Sequence, residues 1–198
     1  MRSTAKGNSE TLSVVPPLDG SLVLRRPQPE DLAKMQENTP SAEIARMSGS
    51  DANESWDANA EGERLYHRVM ATPFGWLIEV EGRTIGQIRL TETDLRHKRG
   101  RLAMGLFSDA WLGRGYGRRA IALMLHHLFE NEGFHRVDLR VLSFNRRAIR
   151  CYLSCGFQIE GYERDVFNLK GVWYGDWMMA VLAHETRILP LPGDQIIN

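Results

Sequence analysis

Six residues, Leu112-Gly113-Arg114-Gly115-Tyr116-Gly117, followed at once by an amphipathic helix pattern from Arg118 to Asn131, constrain this chain more than any other stretch. Glycines at every second position, opening a helix, mark a place where the backbone itself approaches an anion. Without a Cβ the loop can take positive φ and present its N–H groups, and the helix start adds unbonded donors and a positive dipole. A phosphate or pyrophosphate suits such a place, although the same residues also suit a turn that only redirects the chain. Before the loop, Leu102, Met104 and Leu106 alternate with Arg101, Ala103 and Gly105, which is the period of a strand with one buried face. After it, Ile121, Met124, Leu125 and Leu128 form a helical stripe, and Gly133 stands in the C′ position. Phe134 to Leu142 returns to strand, with Val137, Leu139 and Val141 on one face. Two strands joined through a helix imply a parallel or splayed neighbour pair.

A second helix follows. Asn145 is its N-cap, Ala148, Ile149 and Tyr152 share a face, and Gly156 stops it before a new strand. An Asn seven residues before a Tyr, then Gly156-Phe157 four residues on, behind a glycine loop, helix and strand, resembles the GNAT (GCN5-related N-acetyltransferase) superfamily. Within it the likeness is to the branch containing ribosomal-protein N-terminal acetyltransferases and spermidine N-acetyltransferases. The likeness covers roughly residues 21 to 182. It implies an α/β fold, a single domain whose mixed, largely antiparallel central sheet is splayed between the fourth and fifth strands and flanked by helices. It also implies acetyl-CoA as co-substrate in that opening, and direct attack by a primary amine in a ternary complex. The acceptor classes of the branch are peptide or protein N-termini, polyamines and small-molecule amines.

The resemblance also assigns roles to residues. The pyrophosphate would lie on Leu112, Gly113, Arg114, Gly115, Tyr116 and Gly117, and the pantetheine arm would pair like a strand with the edge near Gly105, Leu106 and Phe107. Leu112 departs from the Gln or Arg common in the family, which matters little where the backbone does the binding. Asn145 would contact the pantetheine, cap its helix, or do both. Tyr152 would give the departing sulfur its proton, since a phenol of pKa about 10 can protonate a thiolate of pKa about 8.5 within hydrogen-bond reach. Arg114, Arg118, Arg119, Arg146 and Arg147 are candidates for the phosphates or for a solvated basic face. Glu79, Glu92 and Asp109 are carboxylates near the cleft strands, none of them assigned as the base. Glu43, Asp51, Glu54, Asp57, Glu61 and Glu63 are the carboxylates available to attract a protonated acceptor.

Composition bounds the rest. Twenty-five basic residues balance twenty-five acidic ones in 198, so overall charge gives no affinity for nucleic acid, and any anion site must be local. No apolar run approaches a membrane span, which makes the cytoplasm the expected location. Cys151 and Cys155, four apart on one helix, suit neither a disulfide nor a four-ligand zinc site, and the histidines lack ligand spacing, so no metal is expected.

Residues 1–20 read as a poorly ordered leader, 21–182 as the domain, and 183–198 as a tail leaving it. Ser21 to Arg26 alternates as a strand, and Pro29-Glu30-Asp31 opens a helix through about Gln36. Thr39 to Asn59 reads as polar and irregular, with a loop signal at Ser48-Gly49-Ser50-Asp51, and Glu61 to Met70 as helical. The segments 74–80 and 84–91 form one hairpin, 157–168 and 172–182 another. Two other functions fit parts of the pattern: a dinucleotide-dependent oxidoreductase, which needs a third glycine where Arg118 stands, and a non-catalytic acyl-CoA-binding module. Homodimerisation is left open.

Overall fold

In the computed structural model, which describes residues 20–37, 40–49, 57–186 and 188–197, the alternating segments form strands and the helical-period segments form helices. β1 (Leu22–Arg25) is followed by α1 (Asp31–Gln36), α2 (Ala42–Met47) and α3 (Ala58–Met70). A meander of β2 (Gly75–Val80), β3 (Arg83–Asp94) and β4 (Arg99–Leu106) leads through the glycine loop into α4 (Tyr116–His126). Next come β5 (Arg136–Leu142), α5 (Arg146–Ser154), β6 (Gln158–Leu169), β7 (Val172–Leu182) and a short β8 (Gln195–Ile197).

The strands lie in the order β6-β7-β5-β4-β3-β2-β1-β8. Neighbours are antiparallel except for β4–β5 and β1–β8. The parallel β4–β5 pair lasts only from Arg99 opposite Arg136 to Arg101 opposite Asp138. Beyond that point the two strands part, each still bonded to its other neighbour: β4 to β3 as far as Leu106, β5 to β7 as far as Leu142. This fork is the splay expected between the fourth and fifth strands. The core lies over the sheet, where Ile121, Met124, Leu125 and Leu128 of the helix after the glycine loop are fully buried with Leu22, Leu24, Ile88 and Val137. A π-helical turn (His127–Asn131) extends α4, and Gly133 ends it at φ +67°.

Three local readings change. The segment 39–59, read as irregular, contains α2: Ser41 caps it by accepting from the Ile44 amide at 3.1 Å, so the apolar Ile44 and Met47 share its short face. Its neighbours Ser50 and Asp51 lie outside the described residues, as does the leader 1–19. α3 begins at Ala58 rather than Glu61, because Asp57 caps it through the Ala60 amide. The tail, read as leaving the domain, instead turns back and adds β8 beside β1.

One buried ion pair holds that tail. Arg119 and Asp194 have side chains only 7% and 0% exposed, and Arg119 Nε and Nη2 both donate to the carboxylate. Asp194 also accepts the Leu22 amide at 2.9 Å, and Arg119 donates to the Gly20 carbonyl at 3.0 Å. Truncating one partner of such a pair strands the other charge in the interior. Asp194→Ala is therefore expected to lower stability by about 3–5 kcal/mol, measured as a shift in the urea midpoint at unchanged slope. A loss below about 1 kcal/mol would put the pair in the class of surface bridges.

Candidate active site

The fork opens a cleft of about 870 Å³. On its β4 side, Gly113 and Gly115 adopt φ of +73° and +82°, values that L side chains avoid, and this turns successive amides of the loop outward. Gly115 is the N-cap of α4, and its carbonyl accepts from Arg119 N at 3.0 Å. Gly117 is the close-approach glycine: a Cβ there would sit 3.4 Å from Met104 Cε and 3.8 Å from Cys151 Sγ, so β4, α4 and α5 meet beneath the opening.

The free edge of β4 has a definite phase. Phe107 N donates to Ile85 O at 2.9 Å, and with Gly105 opposite Gln87 the alternation of an antiparallel ladder turns the backbone of Gly105 and Phe107 toward β3. Met104 and Leu106 turn theirs to the open side, beyond the point where Leu102 closes the β5 ladder. Of the three edge residues named from sequence, Leu106 thus offers its backbone to the cleft, Gly105 lines it, and Phe107 stands outside. Leu112, Gly113, Gly115, Gly117, Asn145 and Tyr152 also line it, whereas Arg114 and Tyr116 do not. Tyr116 is buried against Trp111, ring centroids 5.9 Å apart. Arg119 is committed to Asp194, so it is not available to a phosphate; Arg118 and Arg147 do reach the cleft wall.

On the far side, α5 presents Tyr152. Asn145 sets the register of this helix: its Oδ1 accepts from the Ala148 amide at 3.1 Å and its Nδ2 donates to the Met47 carbonyl at 3.1 Å. The ring of Tyr152 packs edge-on to Phe157 with centroids 5.8 Å apart, and burial, with the two flanking cysteines, pushes its phenol above the ordinary value. Cys151 and Cys155 are free thiols that hydrogen-bond each other, which lowers the first and raises the second.

α2 bridges the fork. Ser41 Oγ donates to Asp109 Oδ1 at 2.7 Å beyond the end of β4, while Met47 O and Glu43 reach Asn145 and Arg147 (2.7 Å) of the α5 side. Arg46 lies over the Phe144 ring at 4.8 Å. These contacts also account for the carboxylates considered from sequence. Glu79 pairs with Arg25, Glu92 with Arg101, and Asp109 accepts from Ser41; none lines the cleft. Asp57, Glu61 and Glu63 cap or decorate α3 away from it, and among the described residues of the acceptor set Glu43 lines it, already paired with Arg147. Asp51 and Glu54 lie outside the described residues.

The residue that sequence reasoning missed is Asp176 of β7. It stands opposite Leu142 of β5 and Glu163 of β6 and lines the cleft. Its Oδ1 is buried and receives no hydrogen bond among the described residues. Burial, reinforced by Glu163 and opposed by Arg140, pushes its carboxyl above the usual range. Nothing in the pattern Val172 to Leu182 marks it, because a polar residue inside a strand ordinarily signals the solvent face.

An open mixed sheet forked at one parallel pair, with an amide-lined glycine loop on one prong and a buried tyrosine on the other, defines an acyl-transferring class of fold. The chain belongs to the acetyltransferase (GNAT) domain family, whose profile matches residues 21–158, and it is accordingly an N-acetyltransferase. It is 25% identical to the spermidine N(1)-acetyltransferase of Escherichia coli (strain K12) over 167 residues, 83% of this chain and 88% of the relative. It is 26% identical to a prophage-derived N-acetyltransferase, YokL, of Bacillus subtilis (strain 168), over 78% of this chain and 85% of the relative. Its fold matches a spermidine N-acetyltransferase from Vibrio cholerae, solved in complex with CoA and spermine, at a TM-score of 0.69 and 23% identity, covering 83% of this chain and 97% of the other. The dinucleotide-dependent oxidoreductase reading falls, because its doubly wound parallel sheet is replaced here by a mostly antiparallel one.

The raised phenol makes a measurable statement. The folded chain holds the Tyr152 proton at a pH where the unfolded chain has lost it, so the associated stability is complete below about pH 10 and declines as pH rises toward the folded value. At about pH 10.5, just above the ordinary phenol value, Tyr152→Phe is expected to remove no phenolate absorbance from the folded protein. A full tyrosine's worth of lost absorbance would show that the hydroxyl is solvated.

Proposed function

We propose that this chain transfers the acetyl group of acetyl-CoA to a primary amine by direct attack within a ternary complex. The observation that carries the reading is the position of Tyr152 across the fork from the glycine loop, in one continuous cleft. Two positive-φ glycines and the first turn of α4 suit a pyrophosphate, and the outward backbone of Met104 and Leu106 suits the amide-rich pantetheine arm laid along β4. The thioester then lies between the prongs, toward Tyr152. The CoA complex of the Vibrio cholerae protein supports this choice of donor. Among the described residues no helix is long and apolar enough to cross a membrane, which agrees with a cytoplasmic enzyme.

The chemistry follows from the groups present. The amine nitrogen attacks the thioester carbonyl, the tetrahedral intermediate expels sulfur, and the phenol of Tyr152 protonates the thiolate as the C–S bond breaks. Burial raises the phenol, and the same dry surroundings raise the thiolate that forms beside it, so the two stay matched for proton transfer. Asn145 acts through position: by capping α5 and holding Met47 it fixes the helix that carries the tyrosine.

Two substitutions test the reading. Gly115→Glu places a carboxylate at the loop, where charge and the strain of positive φ act together, and calorimetry should record a severe loss of acetyl-CoA affinity. Unchanged affinity would make the loop a turn only. Tyr152→Phe keeps the ring, so acetyl-CoA affinity should hold while the single-turnover rate falls by about 10²- to 10⁴-fold, the usual contribution of a general acid. A fall within about threefold, far below that range, would assign the proton to water. Tight acetyl-CoA binding with no transfer to any amine would leave a non-catalytic acyl-CoA-binding module.

A further inference from the structure

We propose that Asp176 is the acceptor-binding carboxylate of this enzyme, holding the ammonium group of a monoamine with an apolar body and taking its proton before attack. The inference rests on the acetyl-transfer reading and adds the acceptor's charge and class to it. Five arginines, Arg101, Arg118, Arg140, Arg147 and Arg150, and two carboxylates, Glu43 and Asp176, line the cleft. Glu43 is paired with Arg147, Arg101 with Glu92 and Asp138, and Arg140 with Glu163. That leaves Asp176 as the one carboxylate in the cleft wall with no ion pair or hydrogen bond among the described residues, and its Oδ1 is shut away from bulk water.

A half-buried carboxylate without a partner is completed by a ligand cation. An alkylammonium in the cleft supplies N–H donors to this carboxylate, and the wall near it fits an apolar body: Met47, Leu142, Val166 and Phe167 line the same cleft, and Phe144 packs edge-on to Tyr174 at 4.8 Å, just before Asp176. Among the described residues a second or third cation on the acceptor would meet no further unpaired carboxylate in the cleft wall, which argues against polyamines. The groups that act on Asp176 are Arg140 from β5 and Glu163 from β6, and these already satisfy each other.

The protons balance. The ammonium gives one proton to the Asp176 carboxylate and becomes the nucleophile, and the N–C bond forms at the thioester carbonyl. The C–S bond breaks with transfer of the Tyr152 proton to sulfur. The amide nitrogen sheds its second proton, which returns to the Tyr152 phenolate through solvent, and Asp176 releases its own proton to solvent. The net products are amide, CoA thiol and one proton.

Asp176→Asn keeps the shape and removes the charge, so it tests the carboxylate directly. With 2-phenylethylamine as probe, KM for the amine should rise about 10- to 100-fold, the scale of a lost charged hydrogen bond, with KM for acetyl-CoA unchanged and the thermal midpoint equal or higher. Wild-type enzyme should also prefer 2-phenylethylamine to spermidine in kcat/KM. Independently of turnover, adding 2-phenylethylamine to protein labelled with ¹³C at aspartate carboxyls should move the Asp176 titration to lower pH. An unchanged amine KM, an equal rise in both KM values with a lower midpoint, a preference for spermidine, or a titration indifferent to the amine would each overturn the assignment. Wild-type protein that acetylates no amine refutes the transfer reading instead, and the carboxyl titration then decides by itself whether Asp176 binds an ammonium.

Discussion

The structure turns on the place where β4 and β5 stop pairing. Arg101 and Asp138 form the last register pair of the two strands, and their side chains are joined at 2.8 Å. A parallel ladder closed to its end would leave no room between the prongs, and one that never formed would let the two halves of the sheet separate. Three paired positions and an ion pair at the crotch hold the halves together while leaving a row of outward amides and carbonyls. Unpaired strand edges are usually a hazard that proteins hide; this one lies inside a cleft, beneath α2.

The electrostatics of that cleft are lopsided, and the asymmetry divides it. The glycine-loop end offers backbone donors and the guanidinium of Arg118. The α2 and β7 end is apolar, and nearly every charge on its wall is already neutralised by a neighbour. The anionic donor and singly cationic acceptor proposed above would be drawn to opposite ends of such a cleft. The helix that joins the two walls, α2, is short and held by hydrogen bonds at both ends, from Ser41 to Asp109 and from Asn145 to Met47.

How much of this was legible in the sequence depended on how local the signal was. The glycine loop, the α4 stripe and the Asn145 cap are written within a turn or two of the chain, where periodicity and capping chemistry operate, and they appear as read. The fork itself was legible as a strand–helix–strand unit, and its place in the sheet through the family likeness. α2 was not, since six residues carry too little periodicity to stand against polar flanks. The phase of the β4 edge was hidden too, because which residues face outward depends on the register with β3, a long-range property. Asp176 was out of reach for the same reason: its isolation is set by where Arg140 and Glu163 find each other. Arg119 shows the reverse error, a basic residue beside an anion loop whose partner, Asp194, is seventy-five positions away.

That distance has a consequence for the order in which the molecule can be made. Domains begin to fold from their N-terminal side as the chain emerges at about 5–20 residues per second. α4 and its glycine loop emerge before Asp194, yet the helix carries a guanidinium destined for the interior, and the carboxylate that neutralises it lies 75 positions further on. Until Asp194 arrives, packing α4 onto the sheet means burying an unmatched cation, so the final seat of the helix waits for the segment that carries β8. The helix behind the glycine loop is thus locked by a segment made long after it, and a nascent chain cut short before Asp194 holds α4 with a buried charge that has no counterpart.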